Sequence, residues 1–465
     1  MEINTKQSSL LSSLQSILAP DAILTGDAVH ERSSGIWGPS GTLAADILVR
    51  PASTDEVSRI LATCHEYHQP VVVHGGLTGV VEGAKAHKGD LILSLERLSG
   101  VEAIDPLGAT LTAGAGTTLE VIQKAALEHG LTFPLDIGAR GSATIGGNAA
   151  TNAGGNRVIR YGMARGLILG LEAVLADGTV LTQLNQMLKN NAGYDLKHLF
   201  IGTEGTLGVI TRVVVQLVPE PNSRDTALVA VNDFEQVCGL LNHMKQALGG
   251  TLSAFEVMWQ DFYDYIAPSQ SPPLDRGSPF YVLIEALGSD PAPDALRFTD
   301  ALISARQFSL IKEAVVAKSG PEQEVLWQIR DDVVRLLELK PMFLFDVSLP
   351  ISDVETYVSG IRAELSKVWP DNQMFVFGHL GDGNIHLAIS AGPDNGAAKM
   401  AVEEIVYRPL SEVGGSISAE HGIGLEKKPY LDWCRTPAEI ELMKTLKRSL
   451  DSRRILNPGK VFDLD

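Results

Sequence analysis

Three glycine-rich stretches, each beside a strand signal, constrain this chain more than any other feature. They are VHGGLTGVVEG (Val73 to Gly83), FPLDIGARGSATIGGNAATNAGGNRVIRYG (Phe133 to Gly162) and FIGTEGTLGVIT (Phe200 to Thr211). Glycine reaches positive φ and lets a backbone approach a neighbour or a ligand closely. Successive N–H groups in such turns can face inward and bind phosphate oxygens. A single loop of this kind is commonly a tight turn and no more. Three of them in one region point to a cradle for a large phosphate-bearing cofactor. No G-x-G-x-x-G stands between a strand and a helix at the spacing of a nicotinamide site, which disfavours that class.

The chain has 465 residues, enough for several domains, and a formal net charge of -18. So acidic a chain has no broad basic face for phosphate backbones, so no nucleic-acid partner is expected. The three cysteines, Cys64, Cys238 and Cys434, are far apart and form no C-x-x-C. That favours a reducing compartment, and a cytoplasmic location is expected. The N-terminal stretch carries Lys6 as its only basic side chain and no cleavage-site pattern, so it does not read as a signal peptide. Leu10, Leu14, Ile17 and Leu18 fall at helical spacing and predict an amphipathic helix. No apolar run is long enough to span a bilayer, so the protein is expected not to be integral to a membrane.

From Leu43 to Pro219 strand and helix signals alternate. STDEVSRILATCHEYHQ reads as a helix opened by Ser, Thr and Asp, and PVVVHGG as a buried strand ending in glycines. LEAVLADGTVL contains a hairpin turn at Asp177-Gly178. LVPEPNSRD, with its two prolines, predicts a domain boundary. Beyond it come the strands TALVAV, TLSAFEVMW and FYVLIEAL with intervening helices. After EQEVLWQIRDDVVRLLEL the pattern recurs as MFLFDVSL, a helix, MFVFGHL, NIHLAIS, a helix and SISAE. A β-α-β-β-α-β order predicts an antiparallel sheet with helices on one face, built as two related halves.

FGHLGDGNIHL (Phe377 to Leu387) places His379 and His386 on either side of Asp382-Gly383, a hairpin signal. If Leu380 pairs with Ile385, the histidines stand opposite each other, close enough to chelate one ion. SAEHGIGLEKK adds Glu420 and His421. Two imidazoles and one carboxylate leave coordination positions open, as catalytic metal sites do. Taken alone, the hairpin reads equally well as two polar residues on one strand face. Asn384, on the turn, either bonds a substrate or stabilises the turn.

The motifs PLDIGARGSATIGGNAATNAGG, RYG, LGLEAVLADG, GYDLKHLFIGTEGTLG, GHLGDGNIHL, SAEHGIG and ILNPGK, in this order, resemble the FAD-dependent D-2-hydroxy acid dehydrogenases. These are the D-lactate and D-2-hydroxyglutarate dehydrogenases of the vanillyl-alcohol-oxidase type of flavoproteins. The resemblance implies an α+β protein. A two-subdomain α/β FAD-binding domain joins a substrate (cap) domain whose antiparallel sheet is covered by helices. The expected division is a helical segment at 1–42, the FAD domain at 43–218, the substrate and metal domain at 219–420, and a C-terminal segment at 421–465 returning to the FAD domain.

The same resemblance assigns roles by position. Gly75, Gly76, Thr78 and Gly79 would bind the FAD pyrophosphate. Pro134, Gly138, Ser142, Thr144, Gly146, Gly147, Asn148, Asn152, Gly154 and Gly155 would line the cofactor. Glu204, Gly205 and Ile210 would meet the adenine end, and Asn457 the isoalloxazine ring. Some relatives bond the flavin covalently through a histidine of the first loop. Leu77 follows Gly75-Gly76 here, so non-covalent FAD is expected. His74 is either a flavin contact or a polar loop residue. His379, His386 and Glu420 would hold a divalent metal, zinc or manganese, with His421 as the base and Arg330 as the clamp on the substrate carboxylate. The D-2-hydroxyglutarate enzymes place a lysine and a hydroxyl residue where this chain has Leu344 and Val334. A second substrate carboxylate there lacks a counter-charge.

The expected reaction is oxidation of a D-2-hydroxy monocarboxylic acid with an apolar side chain. Electrons pass to an acceptor such as an electron-transfer flavoprotein or a quinone, and the resemblance allows a homodimer. Three readings compete: a D-2-hydroxyglutarate dehydrogenase using another cation such as Lys340, an oxidase passing electrons to oxygen, and a glycolate oxidase-type subunit or flavin-binding module.

Overall fold

The computed structural model describes residues 5–35 and 42–464. Residues 1–4 and 36–41 of the expected N-terminal segment lie outside that range. The chain forms two compact units. Of the described residues, the first holds 5–35, 42–155, 162–220 and 420–464, the second 156–161 and 221–419.

In the first unit the helix Thr5–Gln15 begins the chain, and Leu10, Leu14 and Leu18 are buried as the spacing predicts. A four-stranded sheet has the order Ile23–Thr25, Ile47–Val49, Leu91–Ser94, Val71–His74. Its last three strands are parallel, because the helix Thr54–Glu66 carries the chain back across the sheet. Ser53 caps that helix, its hydroxyl accepting from the Glu56 N–H. A five-stranded antiparallel sheet follows, ordered Val101–Asp105, Thr110–Gly114, Val209–Gln216, Ile168–Val174, Val180–Gln183. The turn at Asp177-Gly178 joins its last two strands, with Gly178 at φ +88°. One continuous apolar core serves both sheets. The helix Pro437–Leu450 opens with a capping box between Thr436 and Glu439. Its buried Lys447 donates to the Thr206 and Leu456 carbonyls, each at 2.7 Å, which ties the C-terminal tail into this unit.

The second unit is built on a seven-stranded, wholly antiparallel sheet. Its order is Glu313–Val316, Ser223–Val231, Phe280–Gly288, Leu252–Trp259, Gln373–Gly378, Asn384–Ser390, Phe343–Ser348. The two expected halves are visible in this order. In the first half the fourth strand, Glu313–Val316, lies beside the first, Ser223–Val231. In the second half SISAE occupies the matching place, but it forms one bridge, Ser416 to Ser348, instead of the predicted strand. The prediction of helices on one face is also corrected. The strands Leu252–Trp259 and Phe280–Gly288 are buried at every residue, so both faces are covered. Residues 156–161 join this unit through Arg157, which bonds the fully buried Glu285 at 3.1 Å, and Arg160, which donates to the Leu287 carbonyl.

Candidate active site

The flavin-type residues all fall in the first unit. Gly75, Gly76, Thr78 and Gly79 form the loop leaving the strand Val71–His74. A Cβ at Gly76 would lie 2.0 Å from the Ser142 carbonyl oxygen, and one at Gly75 would lie 2.8 Å from Thr144 Oγ1. The first two glycine-rich stretches therefore touch backbone to backbone, and only glycine fits at Gly76. Among the described residues, the N–H groups of Gly75, Gly76, Leu77, Thr78 and Gly79 donate to no protein acceptor. Five consecutive donors of this kind suit a phosphate.

The second stretch continues past Pro134, Gly138 and Ser142 into the helix Ile145–Thr151. Thr144 caps that helix by accepting from the Gly147 N–H. Gly146 packs on Ala115, where a Cβ would come within 2.6 Å of the alanine methyl. Asn148 is buried, and its Nδ2 has no hydrogen-bond partner among the described residues. A buried donor without a partner is costly unless a ligand takes it. Asn152 ends the helix in the left-handed conformation, its Oδ1 accepting from the Arg165 N–H at 2.9 Å. Gly154 follows, and Gly155 lies against the Asp136 carbonyl. The free loop donors and the Asn148 amide fit a flavin dinucleotide.

Three assigned residues have structural work here. The Glu204 carboxylate accepts from the N–H of Ile423 at 2.7 Å and of Gly424 at 2.9 Å. Burial raises its pKa against those bonds. Gly205 adjoins it at φ +70°. Asn457 bridges two segments: its Oδ1 accepts from the Val73 N–H at 2.9 Å and its Nδ2 donates to the Glu204 carbonyl at 2.6 Å. Ile210 packs in the core. His74 is a core residue too. Its Nε2 lies 2.8 Å from the Ala84 carbonyl, and burial pushes its pKa down to about 4. Glu420 and His421 open the last stretch of this unit, directly ahead of the turn held by Glu204.

The other substrate-side residues, Arg330, Val334, Leu344, His379, Asn384 and His386, fall in the second unit. The hairpin register differs from the expected one. Phe377, rather than His379, pairs with His386, and a helical turn at Leu380–Asp382 closes the loop. A shift of two residues preserves the pleat, so both histidines still face the same side. Their ring centroids lie 5.3 Å apart. Asn384 is buried on the returning strand, and its Oδ1 has no hydrogen-bond partner among the described residues.

His379 is flanked on both ring nitrogens. Nδ1 lies 2.7 Å from Glu256 Oε1, and Nε2 lies 3.2 Å from Arg330 Nη2. Arg330 is itself buried and donates from Nε to Glu256 Oε2 at 2.7 Å. Burial raises the Glu256 pKa, but the charges and hydrogen bonds of His379 and Arg330 outweigh it and hold the group at about 2. His386 Nδ1 lies 4.0 Å from Asp346 Oδ1. Asp346 Oδ2 accepts from the Ala419 N–H at 3.1 Å, one residue ahead of Glu420. Val334 and Leu344 are each 55% exposed.

Sequence reasoning missed Glu256 and Asp346. The signal was present: each is the single charged residue of a mostly apolar stretch, TLSAFEVMW and MFLFDVSL, and such a carboxylate needs a partner when buried.

The FAD binding domain family matches residues 45–183, and the C-terminal domain of FAD linked oxidases matches residues 220–461. Two solved structures share the fold across nearly the whole chain. p-Cresol methylhydroxylase has a TM-score of 0.77 at 15% identity, covering 99% of this chain and 98% of its own. Alkyldihydroxyacetonephosphate synthase has a TM-score of 0.74 at 16% identity, covering 98% and 86%. The architecture is that of the vanillyl-alcohol-oxidase-type FAD proteins. Among sequence relatives, the mitochondrial D-2-hydroxyglutarate dehydrogenase of Bos taurus is 38% identical, covering 97% of this chain and 83% of its own. That of Xanthomonas citri pv. viticola is 35% identical, covering 97% and 96%. A putative mitochondrial D-lactate dehydrogenase of Schizosaccharomyces pombe is 36% identical, covering 89% and 81%. The chain belongs to the FAD-dependent D-2-hydroxy acid dehydrogenases, oxidoreductases acting on CH–OH groups. No helix among the described residues is long and apolar enough to cross a membrane.

Proposed function

We propose that this enzyme oxidises D-2-hydroxy monocarboxylic acids with apolar side chains to 2-oxo acids, using non-covalent FAD and a divalent metal. Substrates of the D-lactate, D-2-hydroxybutyrate or D-mandelate kind fit this reading. The observation that carries it is the pair Val334 and Leu344, apolar where a dicarboxylate would need a cation. Arg335, next to Val334, is committed elsewhere: it donates to the Ile266 carbonyl at 2.7 Å and lies over the Tyr265 ring.

A donor set that suits a metal is present among the described residues: Asp346, His386, Glu420 and His421 offer ligand atoms within 4.8 Å of one another, a group that does not include His379. A guanidinium only donates and a carboxylate only accepts. His379 is therefore protonated on Nδ1, toward Glu256, and its Nε2 accepts from Arg330 Nη2 at 3.2 Å, the bond that a metal at Nε2 would replace. His379, His386 and Glu420 would hold the ion, with Asp346 beside His386. Bound there, a divalent ion would acidify the substrate hydroxyl. Arg330 would pair with the substrate carboxylate in the forked geometry that guanidinium favours. Asn384 Oδ1, buried without a partner, would accept a hydrogen bond from the substrate. His421 would take the hydroxyl proton at a ring nitrogen, the role a positioned imidazole commonly serves beside a reacting hydroxyl. The flavin, when bound, supplies the hydride acceptor. An electron-transfer flavoprotein or a quinone would then reoxidise it. We place the enzyme in the cytoplasm on its cysteine usage.

A second reading is D-2-hydroxyglutarate oxidation. It is favoured by relatives that are D-2-hydroxyglutarate dehydrogenases, with the exposed Lys340 as counter-charge. Anaerobic bleaching of the flavin absorbance separates the two. D-lactate, D-2-hydroxybutyrate and D-mandelate are compared with D-malate, D-2-hydroxyglutarate and L-lactate. Fast bleaching by D-2-hydroxyglutarate alone would overturn the monocarboxylate reading.

A further inference from the structure

We propose that Glu256 is a positioning residue that sets both the ligand atom of His379 and the heading of Arg330. The inference rests on the metal-binding and carboxylate-binding roles argued above for those two residues. Glu256 sits at the centre of the strand Leu252–Trp259, whose eight residues are all buried. The same strand pairs through Val257 with Gly378, the residue before His379. A rigid central strand thus holds the carboxylate against both partners. Oε1 meets His379 Nδ1 at 2.7 Å and Oε2 meets Arg330 Nε at 2.7 Å.

Each oxygen has a separate consequence. Oε1 can only accept, so the imidazole proton stays on Nδ1 and the lone pair on Nε2. Carboxylate partners of this kind orient ligating histidines and raise their basicity. Oε2 engages Nε of Arg330, and Nη2 of the same guanidinium donates to His379 Nε2 at 3.2 Å, the bond that a metal at Nε2 would replace. One ionised carboxylate therefore couples the histidine tautomer to the arginine orientation. An amide in its place cannot accept from both partners. If its oxygen faces Arg330, its NH2 faces Nδ1 and selects the wrong tautomer. If its oxygen faces His379, its NH2 opposes the Arg330 Nε–H.

The test uses the FAD-loaded full chain and measures zinc affinity by competition with a chromophoric chelator. Flavin content and thermal melting serve as folding controls. E256Q is expected to weaken zinc binding by roughly 10–100-fold. H379A is expected to weaken it to a similar degree, and E256Q/H379A no further than H379A. The KM for the acid that best reduces the flavin should rise more in E256Q than kcat falls, because Arg330 loses its heading. E256D keeps the charge and shortens the reach. It should recover part of the zinc affinity, and it carries the test if E256Q does not fold. Zinc bound by E256Q within about twofold of wild type overturns the inference. So does a full additional loss from E256Q in the H379A background, since the effect would then bypass His379. If wild type binds no zinc, the metal reading itself fails and this inference falls with it.

Discussion

Replacing Gly76 with alanine tests how far the flavin cradle depends on contact between two loops. The added methyl would lie 2.0 Å from the Ser142 carbonyl oxygen, 2.8 Å from its carbon and 3.0 Å from the Ala143 Cα. All three are backbone atoms, so no side chain can turn away. The gap must open by about 1 Å before the oxygen reaches even a tight contact. Ser142 cannot retreat freely, because it leads into the helix Ile145–Thr151, whose Ile145 and Ala149 are fully buried. Overpacking of this kind costs about 1–3 kcal/mol. Expressed in cofactor binding, that is roughly a 5–150-fold loss of FAD affinity. Gly166→Ala is the control, since nothing lies within 4 Å of its added methyl. The assay is FAD titration of the apoprotein by flavin fluorescence quenching, with melting followed on the same samples. Wild-type FAD affinity and an unchanged melting temperature in Gly76→Ala would refute the claim that these loops must touch.

Other outcomes follow from the same residues. His421→Ala should abolish flavin reduction by substrate while the protein stays yellow, and retained anaerobic bleaching would remove His421 from the base role. Leu344→Lys should fold normally, because the position is 55% exposed. It should raise the kcat/KM ratio of D-2-hydroxyglutarate to D-lactate by about tenfold, the effect of one ion pair near 1.4 kcal/mol, and an unchanged ratio would sink this account of selectivity. Burial pushes the His74 imidazole down to about 4 from its ordinary 6.5. Its contribution to stability is therefore complete above pH 6.5 and is lost as pH falls from 6.5 toward 4. That loss is about 3 kcal/mol, so denaturant melts of His74→Gln should show a shallower decline over this window than wild type.

The sequence by itself determined most element types and the character of both units. Short apolar runs rich in β-branched and aromatic residues, such as TALVAV and FYVLIEAL, read as buried strands, and both are. The helix Thr54–Glu66 was legible from its Ser53, Thr54 and Asp55 start, a purely local device. The glycine pattern and ordered motifs carried the cofactor class, because close backbone approach demands glycine wherever it occurs. Tertiary structure decided the rest. SISAE has strand composition, but only its neighbours determine how many ladder partners it finds, and it finds one, at Ser416. The two-residue register of the histidine hairpin depends on Gly378, where a Cβ would lie 2.6 Å from the Asn384 carbonyl oxygen, a constraint set across the strand pair. Glu256 lies 123 residues from His379 in sequence and 2.7 Å away in space. No local pattern encodes that distance. It arises because two strands far apart in the chain become neighbours in one sheet, and a carboxylate buried there stays ionised only beside the histidine and arginine it orients.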